Sequence, residues 1–146
     1  MIRSMKQAEA SELGSIWLQA SVEAHSFISP SYWQDNLEDM VTKYIPNSQT
    51  YVYEIDGKIE GFVSLVNSNH IAAIFVRPEM QGKGIGGKLM KFVKNDHKEL
   101  TLTVYKKNKK SVDFYMRQGF VCETETIDTE TREPEITMKW VSSDHS

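Results

Sequence analysis

The chain has 146 residues, of which 40% are hydrophobic and 25% are charged. This composition excludes a disordered or collagen-like chain. The length predicts a single domain over residues 1–146, in which roughly the last five residues form a flexible tail. Seventeen basic and 20 acidic residues give a formal net charge of −3. This balance argues against a protein that coats nucleic acid or an anionic membrane.

A single cysteine, Cys122, excludes an internal disulfide framework and a cysteine-rich metal site. Without a second thiol or a paired base, we expect Cys122 to be buried as a small hydrophobic residue. Residues 1–6 lack the apolar segment of a signal peptide, and no stretch approaches the roughly 18 apolar residues that span a membrane. We therefore expect a cytoplasmic protein that binds no metal, membrane or nucleic acid.

The first third of the chain predicts a short strand at residues 2–5 and then two helices. Apolar residues at helical spacing mark the buried face of each helix. They are Leu13, Ile16, Trp17 and Ala20 on the first helix, and Trp33, Leu37, Met40, Val41 and Tyr44 on the second. Ser29 and Pro30 favour the start of the second helix, as its N-cap and its first helical residue.

The remainder of the chain predicts strands that alternate with two more helices. Asp56-Gly57 is a strong two-residue hairpin signal. Residues 71–76 are apolar without alternation, which is typical of a strand covered on both faces. Strands are expected at 51–55, 59–66, 71–76, 100–104, 120–127 and 136–141, with helices after Gly84 and between Asn108 and Gly119. We expect a mixed α/β fold, in which a central mixed sheet carries helices on both faces.

A glycine-rich loop separates the strand at 71–76 from the next helix. Its glycines are Gly82, Gly84, Gly86 and Gly87. Backbone N–H groups can converge on a ligand where no Cβ intervenes, and a helix N-terminus adds positive partial charge. A phosphate or pyrophosphate is therefore the expected ligand. Lys83 and Lys88 are placed to add positive charge at the rim.

Two familiar phosphate-binding patterns match this loop only in part. Gly82-x-Gly84-x-x-Gly87 has the letters of a dinucleotide fingerprint, but the segment 77–81 separates it from the strand, and no acidic residue ends the next strand. Gly82-x-x-x-x-Gly87-Lys88 has most of a P-loop, but Leu89 stands where a Ser or Thr must bind magnesium. Neither a dinucleotide site nor an NTPase fits well.

A third pattern is Gln81-x-x-Gly84-x-Gly86, preceded by Val76-x-Pro78. A second block follows as Asn108-x-x-x-x-x-Phe114-Tyr115-x-x-x-Gly119-Phe120. With both blocks in this order, the chain resembles the GNAT (GCN5-related N-acetyltransferase) family over roughly residues 1–141, and in particular its small bacterial single-domain members. The resemblance implies the GNAT acyl-CoA N-acyltransferase fold.

In this family acetyl-CoA lies between two splayed parallel strands, here those at 71–76 and 100–104. The resemblance implies that acetyl-CoA is the co-substrate and that its pantetheine arm pairs with the backbone of Ile74, Phe75 and Val76. Asn108 would form a hydrogen bond in the pantetheine region. The pyrophosphate would be held by Gln81 and by the loop residues Gly82, Lys83, Gly84, Ile85, Gly86 and Gly87. The basic run 106–110 would lie near the entrance for the adenosine phosphate.

Tyr115 occupies the family position that protonates the departing CoA thiolate, and a phenol with a pKa of about 10 carries its proton at pH 7. Relatives that acetylate protein N-termini have a general-base Glu on the second splayed strand. This chain has Thr103 there, in Leu102-Thr103-Val104. Four alternatives for the base stay open, namely His25, His70, Glu54 and a chain of water molecules.

The acceptor is expected to be a primary amine, on a small molecule or on a protein lysine or N-terminus. His25, Phe27 and His70 are the candidate acceptor-binding residues, although Phe27 fits a core position equally well. The acidic segment 128–135 fits either a site that attracts a cationic acceptor or a solvated loop.

The sequence thus predicts an N-acetyltransferase in which the bound amine attacks the thioester directly in a ternary complex, because no convincing nucleophile is present. A non-catalytic acyl-CoA-binding module is the alternative, which the missing Glu favours and Asn108 and Tyr115 oppose. A longer acyl-CoA donor is a third possibility. We expect a monomer or a homodimer.

Overall fold

The computed structural model describes residues 1–143, and its strands and helices follow the predicted order. The elements are β1 (Ile2–Ser4), α1 (Ala10–Ala24), α2 (Pro30–Asp39), β2 (Gln49–Ile55), β3 (Lys58–Val66), β4 (His70–Val76), α3 (Ile85–Lys94), β5 (Glu99–Tyr105), α4 (Lys109–Arg117), β6 (Val121–Ile127) and β7 (Pro134–Val141). The start of α2 is as predicted, because the Ser29 hydroxyl accepts a hydrogen bond from the Ser31 N–H at 3.4 Å and Pro30 is the first helical residue.

The strands form one seven-stranded sheet in the order β1-β2-β3-β4-β5-β7-β6. Neighbouring strands are antiparallel except β4 and β5, which are parallel, so the predicted mixed sheet is confirmed. Asp56 and Gly57 have φ values of 51° and 80°. Positive φ at both positions is what a tight hairpin turn requires, and it connects β2 to β3.

Two hydrophobic clusters cover opposite faces of this sheet. One contains Leu89 of α3 and Met138 of β7, with α4 packed against it. The other contains Trp17 of α1 and Trp33 of α2, packed on Phe62 of β3. The prediction of helices on both faces is therefore confirmed.

The second helix differs from its prediction at the C-terminal end. Regular helix ends at Asp39, and Met40–Tyr44 form a π-helical turn that closes with a hydrogen bond from the Ile45 N–H to the Met40 carbonyl at 2.9 Å. The wider turn changes the direction of the side chains that follow. As a result Tyr44, predicted to lie in the buried stripe, is 57% exposed.

Two expectations about burial are wrong. Cys122 is exposed, because β6 is an edge strand whose residues are all exposed. The strand β4 is not covered on both faces, since Ala72 is exposed and the residues 74–76 are only half-buried beside a cavity.

The first residue of the predicted tail is hydrogen-bonded to the folded chain, because the Ser142 N–H donates to the Lys98 carbonyl at 2.7 Å. Residues 144–146 lie outside the described residues.

Candidate active site

The central parallel strands diverge soon after they begin. β4 and β5 pair only at His70–Thr101 and Ile71–Leu102, whereas β4 pairs with β3 as far as Val76 and β5 pairs with β7 along its length. A register shift opposite Ser64 and Leu65 leaves Ala72 as an extra residue on β4. Such bulges bend a strand, and the facing edges of β4 and β5 separate at this point. The predicted splay is confirmed, and backbone groups on these edges are left without a strand partner.

A cavity of about 880 Å³ occupies the opening and reaches both faces of the sheet. Most of the predicted site residues line it. They are His25, Ile74, Phe75, Val76, Gln81, Gly82, Gly84, Ile85, Gly86, Gly87, Asn108 and Tyr115. Three predicted residues, Lys83, Phe27 and His70, are not among the residues that line it.

The glycine loop presents a group of free backbone donors at the start of α3. Gly82 and Gly84 have φ values of 81° and 86°, and Gly84 is the N-cap of α3. Within residues 1–143, the N–H groups of residues 82–87 donate no hydrogen bond, and the Lys88 N–H is the first to pair, with the Gly84 carbonyl at 3.1 Å. The Gln81 amide donates to the Val76 carbonyl at 3.2 Å, which ties the loop to the end of β4. Free donors at a helix N-terminus suit a phosphate group.

Positive charge reaches the cavity from α4 rather than from the loop. Lys88 donates to the Tyr53 hydroxyl at 3.3 Å and does not line the cavity. Lys110 and Arg117 do line it, on the same face of α4 as Phe114. The spacing i, i+4, i+7 of these three residues is the signal in the sequence that places them on one helix face.

Tyr115 lies between aromatic rings beside the cavity. Its ring centroid is 5.4 Å from that of Phe114 and 6.0 Å from that of Phe120. Burial raises the pKa of its phenol well above the usual value, so the group is protonated at neutral pH. Its hydroxyl forms no hydrogen bond within the part of the chain that the structure describes, so its proton is available for donation.

His25 and Asn108 form a buried pair that joins α1 to the start of α4. His25 Nδ1 lies 2.8 Å from the Ser21 carbonyl, which can only accept, so Nδ1 carries the proton and Nε2 accepts from the Asn108 amide at 3.1 Å. Burial lowers the pKa of His25, and its ring stacks on Trp33 with centroids 4.8 Å apart. The Asn108 side-chain oxygen accepts from the Ser111 N–H at 3.3 Å and caps α4. The side-chain amide of Asn108 keeps one N–H and one oxygen lone pair free to bond a ligand.

The other candidate bases lie outside the cavity. His70 Nδ1 is bonded to the Thr101 hydroxyl at 2.8 Å, and burial lowers the pKa of this histidine. Glu54 accepts two hydrogen bonds from the Arg3 guanidinium at 2.7 and 3.1 Å. Phe27 packs edge-on against His25, with ring centroids 5.6 Å apart, and so supports the cavity wall from behind.

The acidic segment 128–135 is partly a structured loop and partly a cavity wall. The Tyr105 hydroxyl donates to Asp128 at 2.5 Å, and the Tyr32 hydroxyl donates to Glu130 at 2.9 Å. Glu135, on β7, lines the cavity, as does Glu23 of α1. The sequence did not distinguish Glu135 from its acidic neighbours.

The family model described as an acetyltransferase (GNAT) domain matches residues 8–140. The chain belongs to the GNAT family of N-acetyltransferases. It is 37% identical over 140 residues to the peptidyl-lysine N-acetyltransferase YiaC of Escherichia coli K12, with 96% of each chain covered. It is also 34% identical over 122 residues to the spermidine N(1)-acetyltransferase of the same strain, which covers 74% of this chain and 65% of that protein.

Solved structures confirm that this GNAT chain has the family fold. The apo form of YjaB from Escherichia coli has a TM-score of 0.85 at 25% identity, with 98% of both chains covered. The PaiA N-acetyltransferase of Thermoplasma acidophilum, solved with coenzyme A, has a TM-score of 0.76 at 19% identity, with 97% and 98% covered. Among residues 1–143, no helix is long and apolar enough to cross a membrane, and no three His, Cys, Asp or Glu side chains are grouped to hold a metal.

Proposed function

We propose that this GNAT enzyme transfers acetyl from acetyl-CoA to a primary amine, with a peptide lysine as the first candidate acceptor. The observation that carries the proposal is a cavity that passes through the sheet with opposite charges at its two sides. Lys110 and Arg117 line the cavity from α4, which lies against the glycine loop through Phe114 and Gln118, whereas Glu23 and Glu135 line it from α1 and β7. Acetyl-CoA is anionic and an alkyl amine is cationic at pH 7, so each suits one side.

The free N–H groups of residues 82–87 would hold the pyrophosphate, with Gln81 supporting the loop. Lys110 and Arg117 would attract the remaining phosphate charge. The pantetheine arm would run along the open edges of β4 and β5, where unpaired backbone groups of 74–76 can bond its amides as an added strand would. Asn108 has one amide hydrogen and one lone pair left for the same purpose.

The amine would attack the thioester carbonyl directly in a ternary complex. A backbone N–H on the open edge of β4 is suited to stabilise the oxyanion as it forms. Tyr115 would then protonate the departing thiolate, since its phenol is protonated and unpaired beside the cavity. No step of this mechanism requires a covalent enzyme intermediate.

The names of the two relatives support an amine acceptor, because one acts on peptidyl lysine and the other on spermidine. The higher identity and the fuller coverage of YiaC favour a peptidyl lysine over spermidine as the acceptor. Single-domain organisation, a cytoplasmic location and a monomeric or homodimeric state stay predictions from the sequence.

The test is thiol release from acetyl-CoA in the presence of matched acceptors. One peptide carries a single lysine and a blocked N-terminus, a second has arginine in place of that lysine, and a third has the arginine with a free N-terminus. Spermidine and free amino acids complete the panel. We expect release with the first peptide alone, and a mass increase of one acetyl group on its lysine. Thiol release only with spermidine would show that the acceptor is a polyamine rather than a lysine. Acetyl-CoA binding without thiol release in the presence of any amine would refute the proposal.

A further inference from the structure

In the function proposed above, the cavity has a cofactor side toward α3 and α4 and an acceptor side toward α1 and α2. Leu102 and Val104 of β5, with Ile136 of β7, belong to the hydrophobic cluster of α3. Side chains alternate along a strand, so the residues between them face the opposite side, where α1 and α2 lie. Thr103, Tyr105 and Glu135 are such residues, and all three line the cavity. Glu135 is therefore on the acceptor side.

The register of the antiparallel pair places Glu135 close to Thr103. Glu135 lies directly opposite Tyr105, and Thr103 lies opposite Thr137. Residues on the diagonal of such a pair have Cα atoms roughly 7–8 Å apart, within reach of a long side chain. The carboxylate of Glu135 can thus occupy space above Thr103, where β5 itself supplies only a short exposed hydroxyl.

Glu135 is the half-buried carboxylate of the cavity, and it has no fixed partner. Within residues 1–143 it forms no hydrogen bond or ion pair, in contrast to Glu133, which pairs with Lys107 at 2.9 Å. Burial, and then the charge of Asp128, raise the pKa of Glu135. Glu23, the other carboxylate that lines the cavity, is exposed. The Nε2 lone pair of His25 is already engaged by Asn108.

We propose that Glu135 is the general base that takes a proton from the acceptor ammonium before the amine attacks acetyl-CoA. This inference rests on the function proposed above. The ammonium gives one proton to the Glu135 carboxylate, and the neutral nitrogen forms the C–N bond while the C–S bond breaks. The nitrogen loses its second proton as the amide forms. Tyr115 protonates the thiolate and regains one of these two protons, and the other leaves from Glu135 to solvent.

The same carboxylate would select the class of acceptor. An alkyl ammonium has a pKa of about 10.4, so only about one molecule in 2,500 is neutral at pH 7. A carboxylate on the acceptor side attracts the abundant charged form and accepts its proton in place. Cationic alkyl amines, such as a lysine side chain or a polyamine, are therefore favoured over amines that are already neutral.

Several titratable groups surround Glu135 and bear on its pH dependence. Tyr105 lies beside it on β5, and Asp128 lies in the loop before β7. The groups that line the same cavity are Glu23 on α1, His25 directly after α1, and Lys110, Tyr115 and Arg117 on α4. Glu123 on β6 provides a control position, because it is exposed, does not line the cavity and forms no ion pair within the described chain.

The experiment compares the pH profiles of kcat/KM for wild type, E135Q and the control E123Q with the blocked lysine peptide. For wild type and E123Q we expect a plateau between the pKa of Glu135 and that of the amine. For E135Q we expect a loss of about 10²- to 10⁴-fold at pH 7. That loss should shrink about tenfold for each unit by which the pH rises, because the rate of the variant depends on the fraction of amine that is already neutral. Methoxyamine, which is neutral at pH 7, should react with wild type and E135Q at rates within a few-fold of each other.

A second variant tests the position of the carboxylate rather than the fold. The double substitution T103E/E135Q moves the carboxylate across the strand pair to an exposed cavity position, and we expect it to restore the plateau in part. Unchanged acetyl-CoA binding by E135Q would confirm that the variant is folded. Parallel pH profiles for wild type and E135Q would overturn the role of Glu135 alone. A wild-type enzyme that acetylates no amine would overturn the proposed function, and this inference with it.

Discussion

Gly84 offers a sharp test of the proposed pyrophosphate site, because Gly57 has a similar backbone conformation and lies outside the cavity. Their φ values are 86° and 80°, and a Cβ at either position would have no other heavy atom within 4 Å. A glutamate at either site therefore adds the same charge and the same left-handed strain, without a clash. That strain costs about 1–2 kcal/mol of the free energy of unfolding. For a chain of this size the melting temperature should fall by about 3–8 °C in both variants.

The two variants should differ in acetyl-CoA binding. In G84E the new carboxylate stands at the N-cap of α3, next to the free N–H groups of residues 82–87. At about 5 Å, two like charges repel by about 0.8–3 kcal/mol for effective dielectric constants between 80 and 20. Two pyrophosphate charges double that figure, so binding should weaken by at least about fifteenfold. In G57E the carboxylate lies in the hairpin turn between β2 and β3, so binding should be unchanged.

Calorimetric titration of acetyl-CoA at fixed ionic strength, with thermal unfolding of the same samples, measures both effects. Fixed ionic strength matters because salt screens the repulsion. Equal melting temperatures with a binding loss confined to G84E would support the loop as the pyrophosphate site. If G84E binds acetyl-CoA as tightly as G57E does, the reasoning that places the pyrophosphate at the start of α3 is refuted.

Three further predictions concern the general acid Tyr115, the N-terminal ion pairs and Gly61, which pairs with Val76 across β3 and β4. Y115F should lower kcat by about tenfold to a hundredfold, at or below the low end for general acid catalysis because a thiolate leaves readily, with acetyl-CoA affinity changed less than about twofold. An unchanged kcat, measured by the release of the CoA thiol, would contradict the acid role. Arg3 lowers the pKa of Glu9 from 4.5 to about 2, so the pair adds stability above pH 4.5 that disappears as the pH falls toward 2. Urea unfolding of wild type and R3M should therefore differ at pH 7 and converge near pH 2, and a gap that persists at pH 2 would exclude this cause. G61A would place a Cβ 2.8 Å from the Phe75 carbonyl, so about 1–3 kcal/mol of stability and some acetyl-CoA affinity should be lost, whereas G57A should leave binding intact.

The order of elements could be predicted because each boundary depends on nearby residues. Ser29 and Asn108 cap the helices that follow them, and Gly119, with φ of 95°, ends α4. These signals act over one helical turn, so the sequence displays them directly. The end of α2 was missed because no single residue of Met40–Tyr44 signals a π-helical turn. The turn packs against α1, where Val41 lies close to Gly14, and this tertiary contact is not visible in the local sequence.

The backbone part of the candidate site was likewise predictable, and its charges were not. Glycines before a helix indicate free N–H groups whatever the rest of the fold does. Lysine side chains are long enough to turn away, and Lys88 packs against Tyr53, with its Nζ 5.7 Å from the ring centroid. Of the four lysines in the basic run 106–110, Lys106 and Lys107 pair with acidic residues, and only Lys110 lines the cavity. Tertiary contacts decide which of these cations faces the cavity.

The proposed general base illustrates why a motif on one strand does not by itself define the residues of a reaction. A direct attack needs a proton acceptor near the amine, but it does not specify which strand supplies it. Thr103 and Glu135 are far apart in the sequence, and only the register of β5 with β7 makes them neighbours. Strand register is set by alternating burial along both strands and by the long connection through α4 and β6, which no local pattern contains. The presence of Thr103 rather than a Glu on β5 is therefore weak evidence against catalysis in this chain, because β7 lines the same cavity with the carboxylate of Glu135.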